Sequence, residues 1–205
     1  MDAFILAIDR AARTLSGSVQ ARRNNPAAGM AEAELSDIER QQSAALMRVN
    51  HAGEVAAQAL YQGQMMFSRD AVLRESLSHA ADEELDHLAW TRERVQALGG
   101  RTSVLDPLWY AGSFALGAVA AAIGDKVSLG FLQATEEQVE AHLEGHLRQL
   151  PAADTASRRV VEAMRQDEAD HAQTARNLGA QPLPALAQRA MSLVSKVMTV
   201  AAAKI

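Results

Sequence analysis

Glu84-Leu-Asp-His87 and Glu168-Ala-Asp-His171 carry the same short signature, a carboxylate and an imidazole three residues apart. Each has a further glutamate well upstream. Glu54 precedes Glu84 by 30 residues, and Glu136 precedes Glu168 by 32. On a helix, positions i and i+3 share one face, so each Glu-x-x-His can grip one cation. Four antiparallel helices that bring Glu54, Glu84, His87, Glu136, Glu168 and His171 to one point would offer four carboxylates and two imidazoles there. That is the ligand set of a di-iron or di-manganese carboxylate bundle. Ionised carboxylates are costly to bury alone, and two metal cations remove the penalty.

A single Glu-x-x-His on an alanine-rich helix is usually a solvated ion-pair face. The repetition, with a partner glutamate about thirty residues upstream each time, is what points to metal. Neighbouring acids compete for the same roles. Glu83 adjoins Glu84, and the i,i+3 rule selects Glu84. Glu137 adjoins Glu136, and periodicity does not separate them. Asp167 and Asp170 can accept bonds from the ligating imidazoles or face water. Glu140 reads as a surface group or a support for a ligand. Among the other histidines, His142 is placed to orient a ligand from behind. His51 reads as a cap or a core hydrogen bonder, and His146 and His79 as surface groups. Nothing in the sequence places Tyr61 or Tyr110 near the site.

The elements that must position these residues read as helices throughout. Alanine is abundant and β-branched residues are sparse. Residues 3–15 form a short amphipathic pattern through Phe4, Ile5, Ile8, Ala11, Ala12 and Leu15. Residues 16–34 hold Gly, Pro and Asn without a steady period and read as a loop. Ser36-Asp-Ile-Glu39 has the capping-box form and starts a helix running to about Phe67. A second helix spans roughly 69–98, closed by Gly99-Gly100, and the short connection makes the two an antiparallel hairpin. Asp106-Pro107 is a helix start with an acidic cap. One helix from there to Leu150 would be about 65 Å long, so a break is expected between Gly124 and Gly130. The helices after it cover 130–149 and about 155–178, the latter capped by Asp154 or Thr155. A final amphipathic helix covers 185–203, with Arg189, Lys196 and Lys204 beside its apolar residues.

The order is hairpin, apolar crossover, hairpin. The expected fold is all-α: a ferritin-like four-helix bundle with extra N- and C-terminal amphipathic helices. Three segments follow: an N-terminal helix and loop over 1–35, the four-helix domain over 36–180 with its crossover at 107–125, and a C-terminal helix over 181–205.

At 205 residues the chain can bury a full core without disulfides, and it has no cysteine to make one. Thiolate sites are therefore excluded, and any metal must be held by oxygen and imidazole. The net charge of -5 comes without a basic stripe interleaved with aromatics, so nucleic acid is not an expected partner. Residues 1–15 contain acids and no long apolar stretch, and are not read as a signal peptide. The run from Leu108 to Gly124 sits at the bottom of the spanning range and ends in Asp125-Lys126. A buried or interfacial helix is expected there.

Asn50-His51-Ala-Gly53-Glu54, Glu84-Leu-Asp-His87, Glu136-Glu137 followed by His142, and Asp167-Glu168-Ala-Asp-His171 together resemble the demethoxyubiquinone hydroxylases of the Coq7 type. The resemblance covers about residues 40–178, in spacing as well as letters. It implies a ferritin-like di-iron protein, with Glu54 as the first ligand and Glu84, His87, Glu136, Glu168 and His171 as the rest. His142 corresponds to the family's supporting histidine. The resemblance further implies two iron ions per chain and O₂ as co-substrate. The reaction would be ring hydroxylation of a 2-polyprenyl-3-methyl-6-methoxy-1,4-benzoquinol in aerobic ubiquinone biosynthesis. Implied partners are the polyprenylated quinol, other ubiquinone-biosynthesis proteins and a membrane surface, with a peripheral location on the cytoplasmic face of a bacterial cell membrane. An external electron donor is also needed, since no Rossmann fingerprint stands in the sequence. The chain departs from the family's pattern in the short segment LRQLPAADTASRRV, which does not touch the ligand set. A rubrerythrin- or ferritin-like peroxidase or iron-handling protein would share the bundle, and a membrane-peripheral scaffold would leave the six residues unexplained.

Overall fold

A computed structural model describes residues 2–205, with side chains from Ile8 onward. It contains seven helices and, among the described residues, no strand. They are α1 (Asp2–Ser16), α2 (Asp37–Phe67), α3 (Ala71–Ala97), α4 (Asp106–Ile123), α5 (Asp125–Gln149), α6 (Thr155–Asn177) and α7 (Ala185–Ala202). Helices α2 and α3 pack as one hairpin and α5 and α6 as the other, while α3 meets α6 and α2 meets α5 across the centre. The crossover α4 lies along α2. The chain is all-α, with the hairpin, crossover, hairpin order that the sequence predicts.

Local chemistry sets most boundaries. Ser36 and Glu39 form the expected capping box, each side chain bonding the other's backbone amide. Asp70 accepts from the amides of Val72 and Leu73 to start α3, and Asp154 accepts from that of Ser157 to start α6. Two boundaries differ from the sequence reading. The break expected over 124–130 is a single residue. Gly124, at φ 153° and ψ 153°, occupies backbone space that glycine alone enters at low cost, and α5 begins at once with Asp125. Asp106 does not cap α4. It is the first residue of that helix, no side chain caps the end, and its buried carboxylate lies 3.8 Å from Nε2 of His51. The side chains of Phe4 and Ile5, used in reading α1, lie outside the described residues; Ala11 of that helix packs against Val55, Ala59, Leu88 and Tyr110.

The core is divided along the bundle axis. One apolar cluster gathers Met47, Trp90, Leu143, Val160 and Met164, and a second gathers Tyr61, Leu77, Leu129, Leu132 and Ala175. On every bundle helix the six candidate ligands, Glu54, Glu84, His87, Glu136, Glu168 and His171, lie between these two clusters in sequence. Helices α2 and α4 approach closely through Gly63 and Gly117. A Cβ at Gly63 would fall on the backbone of Phe114, and one at Gly117 on the carbonyl of Leu60. Only a stripe of α4 is buried by this contact, and Leu108, Leu116, Val119 and Ile123 stay exposed. The helix α7 buries Ala202 alone. No described helix is long and apolar enough to cross a membrane.

Replacing Gly117 with leucine must push α4 away from α2, because the obstacle is backbone. The variant should lose about 1–3 kcal/mol in urea unfolding. An unchanged midpoint would show that α4 does not depend on this contact.

Candidate metal centre

Each sequence-selected residue comes from a bundle helix: Glu54 from α2, Glu84 and His87 from α3, Glu136 from α5, Glu168 and His171 from α6. All six are buried. They form two groups of potential ligand atoms, each within 4.8 Å mutually: Glu54, Glu84, His87 and Glu168, then Glu136, Glu168 and His171. Glu168 belongs to both. Glu84 also reaches both imidazoles, with Oε2 3.1 Å from Nδ1 of His87 and Oε1 3.3 Å from Nδ1 of His171. Glu84 and Glu168 thus lie between the histidines, while Glu54 and Glu136 stand at the two ends.

The imidazoles are held from outside by a crossed pair of acids. Nε2 of His87, on α3, is 2.8 Å from Asp167 of α6. Nε2 of His171, on α6, is 2.9 Å from Glu83 of α3. Each outer acid immediately precedes the inward glutamate of its own helix, so the repeated unit is acid-Glu-x-Asp-His. An imidazole that donates Nε2–H to a carboxylate presents its Nδ1 lone pair inward, the tautomer a metal ligand needs.

The electrostatics fit a cation between these atoms. Burial and repulsion from Glu84 hold Glu54 well above the ordinary carboxylate range. Burial and repulsion from Glu168 and Glu84 do the same to Glu136. Burial also opposes charge on Glu84, but His87 and His171 outweigh it and hold that carboxyl well below its usual value. For His87, burial is outweighed by Glu84, Asp167 and Glu168, which keep the imidazole protonated well above its normal range. His171 is raised in the same way against its own burial, by Glu168, Glu83 and Glu84. In the apoprotein, protons on both inner nitrogens thus stand in for positive charge. Glu54 Oε2 is buried without a hydrogen-bond partner. A hard or borderline divalent cation suits this oxygen and imidazole set.

The structure decides the alternatives that the sequence leaves open. Glu136 is buried and accepts from the Tyr61 hydroxyl at 2.6 Å. Glu137 is half-buried and pairs with Arg176 at 2.7 Å. Asp167 turns inward to His87, whereas Asp170 is exposed. Glu140 lies near Arg165, at 3.6 Å. His51 is a core hydrogen bonder, 3.2 Å from the Thr91 hydroxyl, and His79 is exposed.

Two histidines sit differently from expectation. His146, read as a surface group, is buried with Nδ1 2.7 Å from the Asn50 side-chain oxygen. The His142 ring lies tilted against it, centroids 4.0 Å apart and planes at 58°, and its buried Nε2 has no partner. Among the described residues no hydrogen bond or ion pair joins His142 to the six. The group that does support a glutamate is Tyr61, which the sequence reading left unplaced. Its position seven residues after Glu54, two turns on along one helix face, is the signal that could have found it. Arg23 is a second omission. It bonds both Asp86 and Asp167 at 2.8 Å, from a segment whose lack of periodicity gave no signal.

Comparison with known proteins agrees with this geometry. A family model described as ubiquinone biosynthesis protein COQ7 matches residues 41–202. A 3-demethoxyubiquinol 3-hydroxylase of Delftia acidovorans is 57% identical over 205 residues, covering all of both chains. Its counterpart in Variovorax paradoxus is 56% identical over 205 residues, all of this chain and 98% of its own. That of Dechloromonas aromatica is 54% identical over 198 residues, 97% and 96% of the two chains. The chain therefore belongs to the family of ubiquinone biosynthesis protein COQ7.

Proposed function

We propose that this protein is a di-iron monooxygenase that uses O₂ to hydroxylate the ring of a 2-polyprenyl-3-methyl-6-methoxy-1,4-benzoquinol in aerobic ubiquinone biosynthesis. The observation that carries the metal part is the placement of Glu84 and Glu168 between two inward-facing imidazole nitrogens. The names of the full-length relatives support the substrate.

Glu54, Glu84, His87, Glu136, Glu168 and His171 would hold two iron ions, and iron held there supplies the redox chemistry that activates O₂. The chain's own contribution is position and exclusion. Asp167 and Glu83 fix the imidazole tautomers from outside. Tyr61 holds Glu136 in place through its hydroxyl. The apolar clusters on either side keep bulk water from a centre that would otherwise waste reducing equivalents. One oxygen atom enters the ring and the other leaves as water, which consumes two electrons from an external donor.

The quinol's isoprenoid tail favours a peripheral position on the cytoplasmic face of the cell membrane. Exposed Leu108, Leu116, Val119 and Ile123 on α4, and Leu193, Val194 and Val197 on α7, suit such a surface. Arg189 and Lys196 on α7 suit anionic headgroups. Deleting residues 185–205 should lower binding to anionic vesicles in a flotation assay at least about tenfold, if each basic residue contributes about 1 kcal/mol. Unchanged flotation would remove α7 from the membrane surface.

Iron-replete protein should carry about two irons per chain. Glu168→Ala, which removes the glutamate common to both groups, should retain less than about half of that iron while its helical circular dichroism persists. Full iron content in the variant would overturn the ligand assignment. Because His87 and His171 are held protonated in the apoprotein, incoming cations must displace protons. Apparent metal affinity should therefore rise with pH by about tenfold per unit for each proton released. Calorimetry in buffers of differing ionisation enthalpy checks this, and binding without proton release contradicts it. The substrate is tested by quinone profiling of a strain lacking the gene and grown in air. The demethoxy precursor should accumulate; a normal ubiquinone pool would sink the hydroxylase reading and leave iron handling in its place.

A further inference from the structure

The two halves of the centre match as far as the outer acids and then diverge. On the His171 side, Glu83 is partly exposed and its other ion-pair neighbour is the exposed His79, 3.2 Å away, while Arg23 reaches it through charge alone and not through a hydrogen bond. On the His87 side, Asp167 meets Arg23, whose Nη2 lies 2.8 Å from Asp167 Oδ2. The same guanidinium places Nε 2.8 Å from Oδ2 of the buried Asp86. Asp86 Oδ1 in turn accepts from the backbone amide of Arg22 at 2.6 Å. Arg23 also lies over the buried Trp90 ring, 4.9 Å from its centroid. The counterpart of Asp86 in the second half, Asp170, is exposed and makes no ion pair or hydrogen bond among the described residues.

We propose that Arg23 is a positioning residue that makes the two metal positions unequal, so that the position at His87 fills first and more tightly than the position at His171. The inference rests on the reading of the six residues as metal ligands. A planar guanidinium that bridges two carboxylates fixes both in direction, which a point charge does not. With Asp86 anchored by backbone amides, Arg23 holds Asp167 in one orientation before any metal arrives. Asp167 then holds His87 with Nδ1 aimed inward. His171 depends on an outer acid whose neighbour on the far side is an exposed imidazole, so its orientation must be set as the metal binds. Ordering that precedes binding favours affinity, and ordering that accompanies it opposes affinity. Arg23 reaches the centre from the segment between α1 and α2, which is also tied to α3 by Asn25 on Glu93 at 2.6 Å and Arg22 on Asp82 at 2.6 Å. The segment between α1 and α2 thereby takes part in setting the order of metal binding from outside the ligand set, with Nη2 of Arg23 3.5 Å from Nε2 of His87.

The test is a titration of the full-length apoprotein with Co²⁺, followed by its visible absorption, for the wild type, Arg23→Gln and Arg23→Lys. The wild type should fill in two resolved steps. Arg23→Gln should weaken the first step by about tenfold or more and leave the second unchanged. Arg23→Lys should resemble Arg23→Gln, because an ammonium is a rotatable point donor that does not fix both acids in direction. Equal weakening of both steps, full recovery by lysine, or loss of helical circular dichroism in the variants would assign Arg23 a general structural or charge role and overturn the proposal. A wild type that takes two cobalt ions with a single affinity would overturn it while leaving the metal centre intact. A wild type that binds no cobalt would instead overturn the metal reading on which it rests.

Discussion

Six ionisable side chains buried at the midpoint of one bundle set the terms for the rest of the molecule. Uncompensated charge in such a place costs far more than a domain's net stability. Compensation has to come from partners fixed to within a fraction of an ångström. In the apoprotein the partners are the two imidazolium rings, which sit among four carboxylates and lean on two more outside. A loose or sliding bundle could not keep that arrangement. The apolar clusters above and below the charged layer answer this need, because each locks all four helices on its own side of the site.

The crossed acids do more than orient the histidines. Helices α3 and α6 belong to different hairpins and touch over a limited length. Asp167 on His87 and Glu83 on His171 stitch them together twice, in opposite senses. A shift of α3 along α6 by one residue would separate both pairs at once. The register between the hairpins is therefore specified by the site as well as by packing. That double duty fits the general pattern in which a buried polar network selects one arrangement from several with similar apolar burial.

Much of this is legible in the amino-acid sequence because helical spacing is a strong constraint. Two residues one turn apart share a face whatever surrounds them, so Glu84 with His87 and Glu168 with His171 could be paired without a structure. Glu136 could not be separated from Glu137 that way. Adjacent residues differ by about 100° around the helix, and the choice depends on which face α5 turns toward α2. His146 was misread for the same reason: its partner, Asn50, lies 96 positions away, and only packing brings them together. Arg23 was invisible, since a segment without periodicity gives no direction to its side chains. The break before α5 is blurred in the sequence because the alanine-rich run before Gly124 and the segment after it are both compatible with helix, and Gly130 offers a second place to stop. Only the backbone at that glycine marks the turn.

The crossover helix poses a separate question of physical economy. It is fastened to α2 by backbone contact at Gly63 and Gly117 and by the Tyr110 hydroxyl on Gln62, which continues to Gln58 at 3.3 Å and on to the carbonyl of Ala81. These attachments, with Tyr110 and Phe114 packed against Val55, Ala59 and Leu88, all lie on the inner face of the helix. They would hold the helix equally well if its outer face carried lysine and glutamate. That face carries Leu108, Leu116, Val119 and Ile123 instead, exposed by 48–68%. Apolar residues that the fold does not need, placed where water would reach them, argue for an environment in which water does not. Under the proposed function, that environment would be the lipid surface that holds the tail of the quinol. The proposed function thus accounts for the part of α4 that packing within the chain leaves unexplained.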